Sequence, residues 1–89
     1  MLIKSQNKKN LWNYDNLVRI YIKDENTRYS IRTITNSGDE FLLGIYYKKE
    51  NAQKVIDEIV KKYEMIEYGK YFGSPMIELS KNTFVYIMP

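Results

Sequence analysis

Ala52-Gln53-Lys54-Val55-Ile56-Asp57-Glu58-Ile59-Val60-Lys61-Lys62-Tyr63 is the stretch on which the fold turns. Its apolar members, Ala52, Val55, Ile56, Ile59, Val60 and Tyr63, recur at helical spacing and form a single stripe on the 3.6-residue period. Glu50–Lys54, Asp57–Lys61 and Glu58–Lys62 stand four apart in the favourable acidic-first order, so most of the lysines have a structural reading. The start, Tyr47-Lys48-Lys49, offers no capping side chain, and two lysines there oppose the helix dipole. Gly69 is the predicted stop. A helix with one apolar stripe must cover something, and in this chain the rest of the pattern supplies a sheet.

Upstream, Leu17-Val-Arg-Ile-Tyr-Ile-Lys23 alternates Val18, Ile20 and Ile22 with Arg19, Tyr21 and Lys23, the period of a half-buried strand. Asp24-Glu25-Asn26-Thr27 reads as a polar turn. Residues 28–35 alternate again and are rich in β-branched side chains. Asn36-Ser37-Gly38-Asp39 is a turn with a glycine available for positive φ. Residues 41–47 return. With the short apolar stretch of residues 1–5, this predicts an antiparallel meander of about four strands. Downstream, Glu67 to Ser74 before Pro75 reads as a loop, whose Tyr68, Tyr71 and Phe72 either plug the core or form a surface. Residues 83–88 alternate as a last strand. The expected fold is α+β in one domain, 1–89, with the helix on one sheet face. The inward set is Val18, Ile20, Ile22, Tyr29, Ile31, Phe41, Leu43 and Ile45, plus either Val85/Ile87 or Phe84/Tyr86.

Composition narrows the function. Nine tyrosines stand among 89 residues with no histidine and no cysteine. The commonest acid–base catalyst, the commonest metal ligand and the thiolate nucleophile are all missing. Tyrosine supplies flat, semi-polar surface for gripping a partner. The chain reads as a binder rather than an enzyme, with no cofactor implied. Serines lack a histidine to activate them, the carboxylates are scattered, and no phosphate-cradling glycine motif is present. The net charge of +3 is a mixed surface. It is neither the basic stripe duplex DNA requires nor an acidic mimic of DNA. No apolar run reaches the roughly 18 residues of a membrane span, and a cytoplasmic location is the default expectation. A chain this short buries a modest core, which makes a homo-oligomer an attractive source of further burial.

If one sheet face packs on the helix, the other stays open. Alternation places Arg19, Tyr21, Lys23, Arg28, Arg32 and Tyr46 there, with Ile34 and Leu42 among them. Guanidinium groups fork onto phosphate or carboxylate, and tyrosine rings stack on bases or bury apolar area. This face is the candidate binding surface for an anionic nucleotide-like ligand or a protein partner, with Lys70 and Tyr71 contributed by the loop.

Read end to end, the chain resembles a group of short proteins from phages and prophages of Gram-positive bacteria. Those begin Met-Leu-Ile-Arg-Ser-Gln, and this chain begins Met1-Leu2-Ile3-Lys4-Ser5-Gln6. Their Leu-x-Asn-x-(Asp/Glu)-Asn-(Val/Ile) is matched by Leu11-Trp12-Asn13-Tyr14-Asp15-Asn16-Leu17. Gly44-Ile45-Tyr46 matches a Gly-x-Tyr before a helix, and Ala52-Gln53-Lys54-Val55-Ile56-Asp57-Glu58-Ile59 matches the helix itself. Phe84-Val85-Tyr86-Ile87-Met88-Pro89 is one residue longer than their Phe-x-Met-Pro end. The group carries Ser or Thr at the helix start, where this chain has Tyr47 and Lys48. The resemblance implies an accessory protein that binds and blocks host machinery, a CRISPR effector for example, or that sequesters a nucleotide-derived immune signal, commonly as an oligomer. It carries over no catalytic residue.

Overall fold

A computed structural model of the chain describes residues 1–71 and 85–89, with helix side chains as far as Glu67. It is α+β, as the patterning requires. Strands β3 (Leu17–Asp24), β4 (Tyr29–Thr35) and β5 (Glu40–Tyr46) form an antiparallel meander. A second small sheet has the order β2-β1-β6, from β1 (Leu2–Lys4), β2 (Leu11–Asn13) and β6 (Val85–Ile87). β1 pairs antiparallel with β2 and parallel with β6. Helix α1 (Lys49–Tyr71) lies against the meander, and the core gathers Ile31 and Leu43, Ala52, Val55, Ile59 and Ile66, and Ile3 and Tyr86. The first residues thus pair in a separate sheet rather than extending the meander to four strands, and β2 is a strand the alternation did not announce.

The helix starts without a side-chain cap. The Lys48 carbonyl accepts from the amides of Asn51 at 3.1 Å and Ala52 at 3.3 Å, and Glu50 is the acidic residue of the first turn. The stripe packs as expected apart from Val60, which is largely exposed. Tyr63 stacks on Tyr14 with ring centroids 4.3 Å apart, tying the middle of the helix to the short 3-10 turn Tyr14–Asn16. The helix runs through Gly69 to Tyr71; glycine's cost of about 1 kcal/mol relative to alanine weakens a helix without ending it. None of the three anticipated i,i+4 ion pairs closes. Glu58 instead accepts a 2.8 Å hydrogen bond from the Tyr86 hydroxyl.

Two β-bulges correct the inward set. Pairing runs Leu17↔Thr35 and then Arg19↔Ile34, so Val18 is an unpaired extra residue, 70% exposed rather than buried. The hydroxyl of buried Thr33 donates to the Arg19 carbonyl at 2.9 Å beside this bulge. On β5, Ile31↔Gly44 is followed by Arg32↔Leu42, leaving Leu43 as the extra residue. A bulge reverses the facing of everything beyond it. Leu43 is still buried, but Ile45 shares the outer face with Ser30, and Tyr46 shares the core face with Tyr29. Phe41 keeps core-face register with Thr33 yet is partly exposed at the sheet's end, where it meets Trp12 at 5.6 Å between centroids. In the last strand Tyr86 is buried while Val85 and Ile87 are exposed, which settles the parity. Residues 72–84, with the sequence-predicted Phe72 and Phe84, lie outside the described residues.

Candidate functional site

Partner residues of an antiparallel pair face the same side. Ile20 and Ile22 match Thr33 and Ile31 on the core face, so Arg19, Tyr21 and Lys23 match Ile34, Arg32 and Ser30 on the other, which is open except at the buried Ser30. Leu42 joins them from β5, opposite Arg32. The open face therefore carries Arg19, Tyr21, Lys23, Arg32, Ile34 and Leu42 as the alternation predicts.

The Arg19 guanidinium lies over the Tyr21 ring, 4.4 Å from its centroid. The stack holds a flexible cation in a defined place on the sheet. Arg19 makes no ion pair among the described residues. Across the strand pair, Tyr21 faces Arg32 directly.

Arg28 and Arg32 are already engaged. Glu25 folds back from the β3–β4 hairpin and accepts from Arg28 Nε at 3.3 Å through one oxygen and from Arg32 Nη2 at 3.5 Å through the other. Arg32 Nε also donates to Ser30 Oγ at 3.2 Å. Desolvation pushes the Glu25 pKa up, but the Ser30 hydrogen bond and the charges of Arg28 and Arg32 outweigh it and hold the carboxyl below its ordinary value. The turn that aims Glu25 is itself specified. Asn26 takes a left-handed φ of 72°, its amide is bound by Asp24 Oδ1 at 2.9 Å, and the Glu25 amide donates to the Arg28 carbonyl at 2.9 Å. Glu25 and Ser30 are the site residues that sequence reasoning missed. The available signal was an acid three residues ahead of Arg28 across a tight hairpin.

Tyr46 does not belong to this face. The bulge at Leu43 turns it inward, where it is 9% exposed and its hydroxyl donates to the Pro89 carbonyl at 2.7 Å. Burial, with the nearby Glu58 charge, pushes its pKa up to about 12. Lys70 and Tyr71 sit in the last turn of α1 rather than in a loop, and their side chains lie outside the described residues.

Tyr46 belongs to a clasp. Gln6 Nε2 donates to the Pro89 carbonyl at 2.9 Å and to the Ile45 carbonyl at 3.1 Å, while Gln6 Oε1 accepts from the Ile45 amide at 2.8 Å. A Cβ on Gly44 would stand 3.0 Å from the Tyr46 hydroxyl oxygen and 3.3 Å from Gln6 Cβ. Gln6, Gly44, Tyr46 and Pro89 thus meet in one place, where they bind the chain to itself.

An apolar recess of about 170 Å³ opens between β3 and α1 and is lined by Leu17, Val18, Ile20, Ile56 and Val60 among others. Tyr21, Arg28 and Arg32 line none of the three cavities described. Among the described residues no cluster of three or more metal-ligating side chains occurs, and no helix is long and apolar enough to cross a membrane. Compared with known protein families, curated proteins and solved structures, the chain finds no match.

Proposed function

We propose that this is a non-enzymatic binding protein of the phage accessory kind, which counters a host defence by sequestering an anionic, nucleotide-like signal on the open face of the meander. The observation that carries the reading is the register Tyr21↔Arg32. An aromatic ring stands one strand away from a two-arginine cluster, the spacing of a base from its phosphate. A heterocyclic base stacks on Tyr21 in place of the Arg19 guanidinium, which is then free to meet the phosphate. The phosphate lies at Arg32 and Arg28, where guanidinium forks suit its oxygens. Tyr21, Arg28 and Arg32 line none of the described cavities, so a second copy laid over the face closes the ligand in. The ligand's charge offsets the arginines that meet there, which makes the oligomer ligand-dependent.

A thermal-shift panel of nucleotides, with light scattering alongside, tests this. A binding nucleotide at 100-fold excess over its Kd raises the melting temperature by about 10 °C or more. The ligand is recovered intact after heat denaturation, and Arg19→Ala with Arg32→Ala removes the shift. No shift with any nucleotide would overturn the reading. A protein partner, such as a host defence effector, is the second reading. It is favoured by Leu42, 39% exposed beside the half-buried Ile34, since apolar area beside Arg and Tyr is the make-up of protein interfaces. In that case one host protein co-purifies with the native chain and not with the double variant.

A further inference from the structure

Arg28, Ser30 and Arg32 are alternate residues along the chain leading into and through β4; the two guanidinium groups converge on the Glu25 carboxylate, and Arg32 Nε also donates to Ser30 Oγ. Lys23 stands in register with Ser30 and adds a third cation to the neighbourhood. The arrangement is an oxyanion seat that the protein fills with its own Glu25. We infer that Glu25 is a resident counter-ion that makes this seat selective for the doubly charged phosphate monoester over singly charged phosphodiesters and carboxylates; the inference rests on the proposed function in taking the ligand to be a phosphate compound.

The argument is one of charge and of effective concentration. Two guanidinium groups and one carboxylate leave the arginine pair with one uncompensated positive charge, and Lys23 alongside adds to it. A monoanion that displaces Glu25 restores the same balance and gains nothing. It also competes against a group tethered a few residues away, whose effective concentration is on the order of millimolar or more. A dianion neutralises both guanidinium groups and keeps an advantage over the tethered competitor. Phosphate monoesters are dianionic above a second pKa of about 6, whereas a diester never carries a second charge. Releasing Glu25 needs only a rotamer change at a hairpin tip, because its side chain is already one-fifth exposed and that of Arg28 nearly half. The Arg28 pair is the more exposed of the two and is of the individually weak kind, while the Arg32 pair is part-buried and is the main resistance to release.

Methyl phosphate and dimethyl phosphate at pH 8 isolate the charge from any contribution of a base. The readout is the Nε–H resonances of Arg28 and Arg32 in an NMR titration of the whole chain. Methyl phosphate is expected to shift both and to bind about tenfold or more tighter than dimethyl phosphate. Glu25→Gln keeps the shape of the side chain and removes its charge. In that variant both probes bind more tightly, and the gap between them narrows as dimethyl phosphate gains the more. Equal affinities in the native protein, absence of binding by methyl phosphate, or an unchanged ratio in Glu25→Gln would each overturn the inference. The native-protein ratio stands as a test even if the variant does not fold. The two readings fail separately. If methyl phosphate binds selectively and nucleotides bind no better, the seat stands and the nucleotide function falls. If nucleotides bind with no preference for monoesters over cyclic diesters, the function stands and the role of Glu25 falls.

Discussion

Tyr21 and Tyr46 are the same residue on two strands of one sheet, and they have opposite fates. Tyr46 is buried, fixed by its hydroxyl to Pro89 and tight against Gly44. Tyr21 lies on the outside with a cation over its face. A single extra residue, Leu43, produces the difference, since without it Tyr46 would continue the outer row begun by Arg32 and Leu42. The clasp around Tyr46 spends its polar groups on the chain itself, through Gln6, Tyr46 and the Pro89 carbonyl. The open face spends only part of its own, since Glu25 takes Arg28 and Arg32 and leaves Arg19 on Tyr21. One region is committed to holding the fold and the other retains capacity for a partner.

The comparison breaks first at Tyr46. Tyr46→Ala removes a buried aromatic ring and leaves a cavity, at a cost of about 3–5 kcal/mol. That is a large part of the stability of a domain this size, so the variant should be largely unfolded by circular dichroism near its normal working temperature. Tyr46→Phe keeps the ring, and Gln6 still donates to Pro89. Its cost, read from urea denaturation, is about 0.5–1.5 kcal/mol. A Tyr46→Phe variant as unstable as Tyr46→Ala would show that the hydroxyl, rather than the packed ring, holds the clasp.

Gly44→Ala comes next. The added methyl must push against the Tyr46 ring and Gln6, and overpacking of this kind costs about 1–3 kcal/mol. The two changes touch the same space, so their effects should not add. In a Tyr46→Leu background, which removes the ring but keeps more packing than alanine, the added methyl should cost much less, and a double-mutant cycle in urea would measure the coupling. Additive costs would mean that Gly44 acts through its backbone alone.

How much of this was legible in the residues depends on what alternation can record. The helix stripe from Ala52 to Tyr63 and the strand alternation of residues 19–23 gave the α+β class, the packed face and most of the open face, because burial on a regular element writes a regular period. Val18 and Tyr46 were misplaced for one reason. A bulge adds a residue without adding a visible signal, and every side chain past it changes sides. The β1–β2–β6 sheet was only partly readable, since three-residue strands are too short to show a period. Glu25 had only the spacing to Arg28 to mark it, and a turn acid looks the same whether it faces water or folds back onto two arginines.

Alkaline pH probes the clasp tyrosine together with the buried Tyr86. Burial raises the Tyr46 pKa to about 12; it raises that of Tyr86 further still, with the Glu58 hydrogen bond and charge adding to the effect. The unfolded chain ionises both near pH 10. Above that value the unfolded state has released protons that the folded state retains, so this contribution to stability is whole below about pH 10 and is lost as pH climbs through 12. Urea midpoints measured between pH 8 and 11.5 should be flat at first and then fall. A flat profile throughout would place these hydroxyls in contact with water.

Arg19→Ala has the smallest expected effect on the fold, and for that reason it is the sharpest test of the division between the two regions. Arg19 is exposed, it stacks on a ring without an ion-pair partner among the described residues, and its backbone contacts survive truncation. An exposed cation–π contact is worth about 0.5–1 kcal/mol, so the urea midpoint should move only slightly. If the open face is working surface, the same change should weaken ligand or partner binding by about tenfold or more. A large loss of stability with intact binding would reverse the assignment: Arg19 would then be holding β3 to its neighbour, and the surface available to a partner would lie elsewhere on the molecule.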